Sequence, residues 1–290
     1  MIVIGSRGSK LALWQARHIA ACIGGETRIE IIKTSGDKIQ DVPLAAVGGK
    51  GLFTKEIEEA LLAGTIDLAV HSMKDLPTKL PEGLTIAAIP EREDPRDALV
   101  GQPLDVGKRV GTASLRRSAQ LRHFRPDLQI EMLRGNVDTR LRKLDEGQYD
   151  SIVLAAAGLR RLGWQDRIRE LIPVEIMCPA VGQGALAIET RDDDGSAQRL
   201  ARSLDHAATS TAVTAERALL EVMGGGCQVP IGAYATVDGA TIHLRAIVVS
   251  PDGSRLVKGE LTGSDPSKIG TALGRRLLSE GAEEILRAVA

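Results

Sequence analysis

Apolar residues along this chain recur at two spacings. Short apolar runs bounded by glycine and polar residues predict strands at Ile2–Ile4, Arg28–Lys33, Ile66–Val70 and Leu84–Ile89. Between them, apolar positions return every three or four residues and predict helices at Lys10–Cys22 and Phe53–Ala63. Such alternation marks an α/β layer with parallel strands. The charged, proline-containing stretch 91–97 reads as a crossover to a second series: strand Arg109–Gly111, helix Ser114–Phe124, strand Gln129–Leu133, helix Val137–Leu144 and strand Ser151–Ala155. After Gly182-Gln183-Gly184, the run Ala185–Ile188 can return to the first sheet. The pattern then changes. β-rich runs at Gly232–Val237, Thr241–Ser250 and Arg255–Leu261 are separated by Asp238-Gly239 and Asp252-Gly253, which predicts type I′ hairpin turns, with helices at Thr211–Met223 and Lys268–Val289. The expected fold is α/β, two similar lobes with a cleft between them where ligands commonly bind, plus a small C-terminal α+β domain. The expected domains are residues 1–90 with 185–203, residues 96–180, and residues 207–290.

Composition narrows the function. With 290 residues, 43% apolar and 26% charged, the chain can build two or three cores, and it has no apolar run of the ~20 residues a membrane span requires. No basic region or cleavage site precedes the first strand, so no signal peptide is expected and the cytoplasm is the default location. Cys22, Cys178 and Cys227 have no metal-like spacing and leave one thiol over in any disulfide scheme, so reduced thiols and no metal site are expected. Net charge is −1, yet Arg109–Arg142 holds eight arginines against Asp127, Glu131 and Asp138. Two residues each of Trp, Tyr and Phe offer few stacking platforms for nucleic acid, and the balanced total charge argues against a general polyanion binder. Small multivalent anions fit better.

Particular segments sharpen this. Gly5-Ser6-Arg7-Gly8-Ser9 joins the first strand to a helix and would aim backbone N–H groups at an anion, or else is a plain loop with Ser9 as N-cap. In Gly111-Thr112-Ala113-Ser114-Leu115-Arg116-Arg117, Ser114 is a fitting N-cap, which puts two arginines in the first helical turn, the wrong charge for the helix dipole by ~0.3–1 kcal/mol each. A bound carboxylate would reverse that penalty and accept a bidentate guanidinium bond. Arg134 and Arg140, around the expected cap Asn136, follow the same logic; salt bridges to Glu131 and Asp138 account for one or two of the set at most. His71-Ser72-Met73-Lys74-Asp75-Leu76-Pro77 follows a strand, so Lys74 and Asp75 lie at its carboxyl end, where α/β sheets place ligands. A carboxylate there can stabilise a developing cation or shuttle a proton; alternatively Asp75 is a turn residue and His71 a satisfied polar side chain. Gly48-Gly49-Lys50-Gly51-Leu52-Phe53 reads as a basic lid or a plain connection. Cys227 follows three glycines, and a thiol on so bare a backbone suits a bulky covalent adduct; the alternative is a helix stop at Gly224 with Cys227 a small buried residue.

Together His71-Ser72-Met73-Lys74-Asp75, Ser114-Leu115-Arg116-Arg117, Leu133-Arg134-Gly135-Asn136-Val137, Pro179-Ala180-Val181-Gly182-Gln183-Gly184 and Gly225-Gly226-Cys227-Gln228-Val229-Pro230-Ile231-Gly232 closely resemble the porphobilinogen deaminase family, also called hydroxymethylbilane synthases. The resemblance runs the length of the chain. It implies three domains, the first two like the lobes of periplasmic binding proteins, and a dipyrromethane cofactor bound to Cys227 through a thioether. It also implies a transferase of tetrapyrrole (haem) biosynthesis that joins four porphobilinogens head to tail with loss of ammonia. By the same likeness Asp75 is the catalytic carboxylate, interacting with pyrrole nitrogens and stabilising cationic azafulvene intermediates. Ser9, Lys74, Ser114, Arg116 and Arg117 would hold the cofactor, and Arg7, Lys50, Phe53, Arg134, Arg140, Arg161 and Gln183 the substrate. Ala46 departs from relatives that carry lysine there. The implied protein is a cytoplasmic monomer acting on a small molecule, with neither nucleic acid nor membrane as partner. Two other readings use fewer of these residues: a non-catalytic module for a dicarboxylate or phosphate, and a thiol enzyme with Cys227 as nucleophile.

Overall fold

The computed structural model describes residues 1–38, 51–224 and 229–289; Ala46, Lys50 and Cys227 lie outside them. The chain divides into two compact units, Met1–Glu93 with Ala185–Ser210, and Asp94–Gly184 with Thr211–Ala290. Strands run in chain order as β1 (Ile2–Ser6), β2 (Thr27–Ile31), β3 (Leu68–Ser72), β4 (Leu84–Ala88), β5 (Asp97–Gly101), β6 (Arg109–Gly111), β7 (Gln129–Glu131), β8 (Ser151–Ala155), β9 (Glu170–Leu171), β10 (Leu186–Arg191), β11 (Ile231–Asp238), β12 (Thr241–Val249) and β13 (Leu256–Gly263).

In the first unit the sheet order is β2-β1-β3-β10-β4, with β1, β2 and β3 parallel and β10 antiparallel to both its neighbours. Helices Lys10–Ile23 and Ser196–Arg202 cover one face around Ile4, Leu68, Val70 and Ile188; helix Lys55–Leu62 covers the other around Ile57, Leu61, Ile66 and Ala69. Cover on both faces is why β3 and β10 are buried almost throughout instead of alternating.

The second unit repeats the pattern: β7-β6-β8-β5-β9, with β6, β7 and β8 parallel and β5 reversed. Here the sequence reading needs correction, because Asp97 does not end a crossover but begins β5. Only Ala98, Leu99 and Val100 are apolar between Asp97 and Gly101, too short a run to register beside the charges before it. The helices Ala156–Arg161 and Ser196–Arg202 escaped for the same reason, being too short to display a helical period.

The C-terminal sheet is the antiparallel meander β11-β12-β13, packed with helices Ala207–Val222 and Pro266–Leu277 around Leu219, Ile231, Leu244, Val248 and Leu273. The two turns differ from expectation. Asp238 pairs with Thr241 and only Gly239, at φ 56°, is left-handed, so the positive angle falls on the first loop residue as in type II′. The second connection is a longer loop closed by the Ser250 N–H on the Arg255 carbonyl at 2.9 Å. The final helix is also not continuous. Gly281, at φ 109°, interrupts it before a last turn at Glu283–Arg287. Among the described residues no helix is long and apolar enough to cross a membrane.

Candidate functional site

In the first unit, Ser9 caps helix Lys10–Ile23, its hydroxyl accepting the Ala12 N–H at 3.2 Å. The loop before it carries Arg7, whose guanidinium lies 4.2 Å from the centroid of the Phe53 ring. A cation over an aromatic face is held without using its N–H groups, so this contact orients the guanidinium while leaving its donors to other partners.

At the carboxyl end of β3 the chain makes one tight turn, Met73–Asp75. Met73 and Leu76 are buried, and their amides donate to the carbonyls of Ala185 at 3.0 Å and Met73 at 3.2 Å. Gln15 Nε2 donates to the Ser72 hydroxyl at 2.9 Å just before the turn. Lys74 and Asp75, both half-buried, are therefore carried on a backbone pinned on each side. The strand reaches Ser72 rather than stopping at Val70, so His71 is a strand residue, 6% exposed, and not part of the loop.

In the second unit, the Ser114 hydroxyl accepts the Arg117 N–H at 3.4 Å and opens helix Leu115–Phe124. Arg116 and Arg117 follow in the first turn, 4% and 5% exposed. Their counter-charge within the chain is Asp97, fully buried, a residue that the sequence reading did not weigh beside Glu131 and Asp138. Arg116 Nη1 donates to Asp97 Oδ2 at 2.7 Å and Arg117 Nε to Oδ1 at 2.9 Å. Arg116 also reaches the Cys178 carbonyl at 2.8 Å, and Arg117 the Val153 carbonyl at 3.1 Å. Gln183, fully buried, completes the set by donating to Pro95 O at 2.7 Å and Asp97 Oδ1 at 3.0 Å. Burial alone would raise the Asp97 carboxyl; the two guanidiniums overcome this and hold it well below the usual carboxylate range.

One carboxylate thus answers two guanidiniums at a positive helix end. Among the described residues, Arg116 Nε and Arg134 Nη1 are buried and meet no hydrogen-bond acceptor. Buried donors demand acceptors, and a ligand carboxylate is one that also supplies the missing charge. Arg140 folds back so that Nε donates to the Gly135 carbonyl at 2.7 Å, and buried Arg161 donates to the Gly184 carbonyl at 2.7 Å. Asn136 stands at the N-cap position of helix Val137–Asp145 without a side-chain capping bond.

Sequence reasoning misses two residues in this unit. In the sequence Asp97 stands among the charges of stretch 91–97. Glu216, fully buried in helix Ala207–Val222, accepts the N–H groups of Gly182 at 2.7 Å and Ala235 at 2.9 Å, fixing the loop that carries Gln183. A charged residue at a strand head or on the buried face of a helix was the available clue in each case. Helix Ala207–Val222 is followed by Gly224 at φ 66°, a left-handed stop, which the alternative reading of this segment included. Burial pushes the Cys178 thiol up to about 12, which leaves it inert at neutral pH.

Residues 2–199 match the family model described as "Porphobilinogen deaminase, dipyromethane cofactor binding domain", and residues 210–279 match "Porphobilinogen deaminase, C-terminal domain". The chain is 51% identical over 302 residues to a porphobilinogen deaminase of Syntrophobacter fumaroxidans, covering 100% of this chain and 98% of that one. It is 52% identical over 298 residues to one from Geobacter metallireducens, covering 99% and 94%. Among solved structures it has a loose likeness to the periplasmic aliphatic sulphonate binding protein SsuA from Escherichia coli, at a TM-score of 0.40 and 15% identity, over 76% of this chain and 69% of that one.

Proposed function

This chain belongs to the porphobilinogen deaminase family, and from that premise we propose how its residues divide the work. The activity is that of a transferase, which joins porphobilinogen units head to tail with loss of ammonia to give 1-hydroxymethylbilane on the route to tetrapyrroles. The observation that carries the reading is the pair of family matches spanning residues 2–199 and 210–279.

The donor set suits the cofactor. Each pyrrole of a dipyrromethane bears carboxylates, and Arg116 Nε and Arg134 Nη1 lack acceptors among the described residues. Bound to Cys227 through a thioether, the group supplies a primer whose terminal pyrrole carbon accepts the next unit. Ser9, Lys74, Ser114, Arg116 and Arg117 hold its carboxylates. Asp97 keeps the two arginine side chains in place beforehand, so little ordering remains when a carboxylate arrives. Gln183, expected against the substrate, acts through Asp97, since its amide is engaged with Pro95 and Asp97. Arg7 with Phe53, Arg134, Arg140, Arg161 and Lys50 take the acetate and propionate groups of incoming porphobilinogen.

Asp75 is the reacting carboxylate. As ammonia leaves porphobilinogen, positive charge spreads into the pyrrole, and a fixed carboxylate accepting its N–H stabilises that charge. The pinned Met73–Leu76 backbone supplies the fixity. Lys74, its neighbour in the turn, holds a cofactor carboxylate without competing for the pyrrole nitrogen. We further assign residues 1–90 with 185–203, 96–180 and 207–290 to three domains, and place the protein in the cytoplasm as a monomer needing neither nucleic acid nor membrane.

Purified protein incubated with porphobilinogen should release one ammonia per unit consumed and form one bilane per four. Saturable binding of porphobilinogen without ammonia release would instead support a non-catalytic binding module.

A further inference from the structure

The first unit buries three titratable side chains that the chemistry above does not use. Residues 69 and 71 of β3 face helix Lys55–Leu62, and Glu189 of β10 stands opposite Ala69, diagonal to His71. His71 Nε2 lies 3.0 Å from Glu189 Oε2, at side-chain exposures of 5% and 0%. Glu58, 7% exposed, enters the same space from the helix, beside Ile57 and Leu61. Burial pushes its carboxyl up, and the nearby charge of Glu189 adds to this while that of His71 opposes it. Among the described residues, Glu58 Oε1, His71 Nε2 and both Glu189 oxygens complete no hydrogen bond of good geometry.

Aliphatic side chains would fill this space more favourably, since the surrounding cluster is Ile57, Leu61, Ile66, Ala69 and Leu84. The location suggests why ionisable groups stand there. Beyond the ladder that pairs Leu186–Thr190 with Ser72–Leu68, two further contacts hold this end of β3: Glu189 meets His71, and the Ala185 carbonyl accepts the Met73 N–H that opens the Lys74–Asp75 turn. A slide or twist of β3 against β10 must break both contacts.

We propose that His71 and Glu189, with Glu58 behind them, fix the end of β3 from which Lys74 and Asp75 emerge, and so are positioning residues for the ring-joining reaction. The kinetic half of this inference rests on the role given to Asp75 above. The positioning half does not.

The test uses primed, folded protein, with Glu189→Gln, Glu189→Asp, His71→Gln and the Glu189→Gln/His71→Gln double variant. Two quantities are measured: kcat and KM for porphobilinogen per primed site, and amide hydrogen exchange at Met73 and Leu76. Each single variant should lower kcat by about 10-fold or more with KM nearly unchanged, because small displacements of a reacting group are expensive in rate. The double variant should lose no more than the worse single, as members of one unit do. Met73 and Leu76 should exchange faster while β12 keeps its protection. Wild-type kcat in the folded variants, multiplying losses in the double, or unchanged protection at Met73 and Leu76 would each overturn the proposal. If Glu189→Gln does not fold, Glu189→Asp decides, since it keeps the charge and withdraws it by one methylene: a kcat loss supports the proposal and wild-type kcat refutes it. If the wild type itself consumes no porphobilinogen, the functional reading fails, and exchange at Met73 and Leu76 still decides the positioning claim.

Discussion

Asp97 concentrates the electrostatics of the second unit in one side chain. Its carboxyl gives up its proton more readily folded than unfolded, so its stabilisation is complete above the ordinary carboxylate value of about 4 and is lost as pH falls through the lower folded value. Asp97→Asn leaves two buried guanidiniums without a counter-charge and should cost about 3–5 kcal/mol at pH 7. Denaturant titrations at pH 7 and pH 3 check this: the gap from wild type should shrink in acid, and a gap independent of pH contradicts the ion-pair account. Asp75→Asn should do the reverse, sparing the fold, since the side chain is a half-buried turn residue, while lowering turnover on primed protein by roughly 10²-fold. Ammonia release, with circular dichroism as the fold control, separates the two outcomes. Thiol chemistry gives a third prediction. Exposed Cys22 should react with iodoacetamide at pH 8 in the native protein, and buried Cys178 only after denaturation. Ser9 and Ser114 were legible as caps because capping is decided within four residues. Asp97, Glu189 and Glu216 were not, because their partners are distant in sequence.

Elements were legible unevenly. The helices Lys10–Ile23 and Leu115–Phe124 and the strands β6 and β8 agree closely with the periodicity, since cover from neighbouring layers stamps a repeat on the sequence. The Asp238-Gly239 turn was correctly placed and wrongly typed, because one glycine supplies one left-handed residue and Ala240 is not a second. Interhelical contacts leave weaker traces. In helix Pro266–Leu277 a β-carbon on Gly270 would sit 2.3 Å from the Ala215 carbonyl oxygen of helix Ala207–Val222. Gly270→Ala must therefore push two helices apart, at about 1–3 kcal/mol. Thermal unfolding should show a lowered midpoint, with turnover per folded, primed site unchanged. An unchanged midpoint would mean that the helices do not pack so closely.

At the scale of the whole molecule, a net charge of −1 conceals two tiers of positive charge. Arg116 and Arg117 are anchored on Asp97 in the core, whereas the Arg7 guanidinium lies over the Phe53 ring. A clustered arginine count could announce anions from the sequence, but only the folded chain shows that two of these arginines share one buried carboxylate. We propose that this protein builds its product on a primer carried covalently at Cys227, a cysteine set among glycines. Intact mass spectrometry of denatured protein, expressed in cells able to make porphobilinogen, tests it most directly. The measured mass should exceed that of the sequence by two linked pyrrole units, mapped to the Cys227 peptide, kept in Cys22→Ser and Cys178→Ser and lost in Cys227→Ser. A wild-type mass equal to the bare sequence would contradict it.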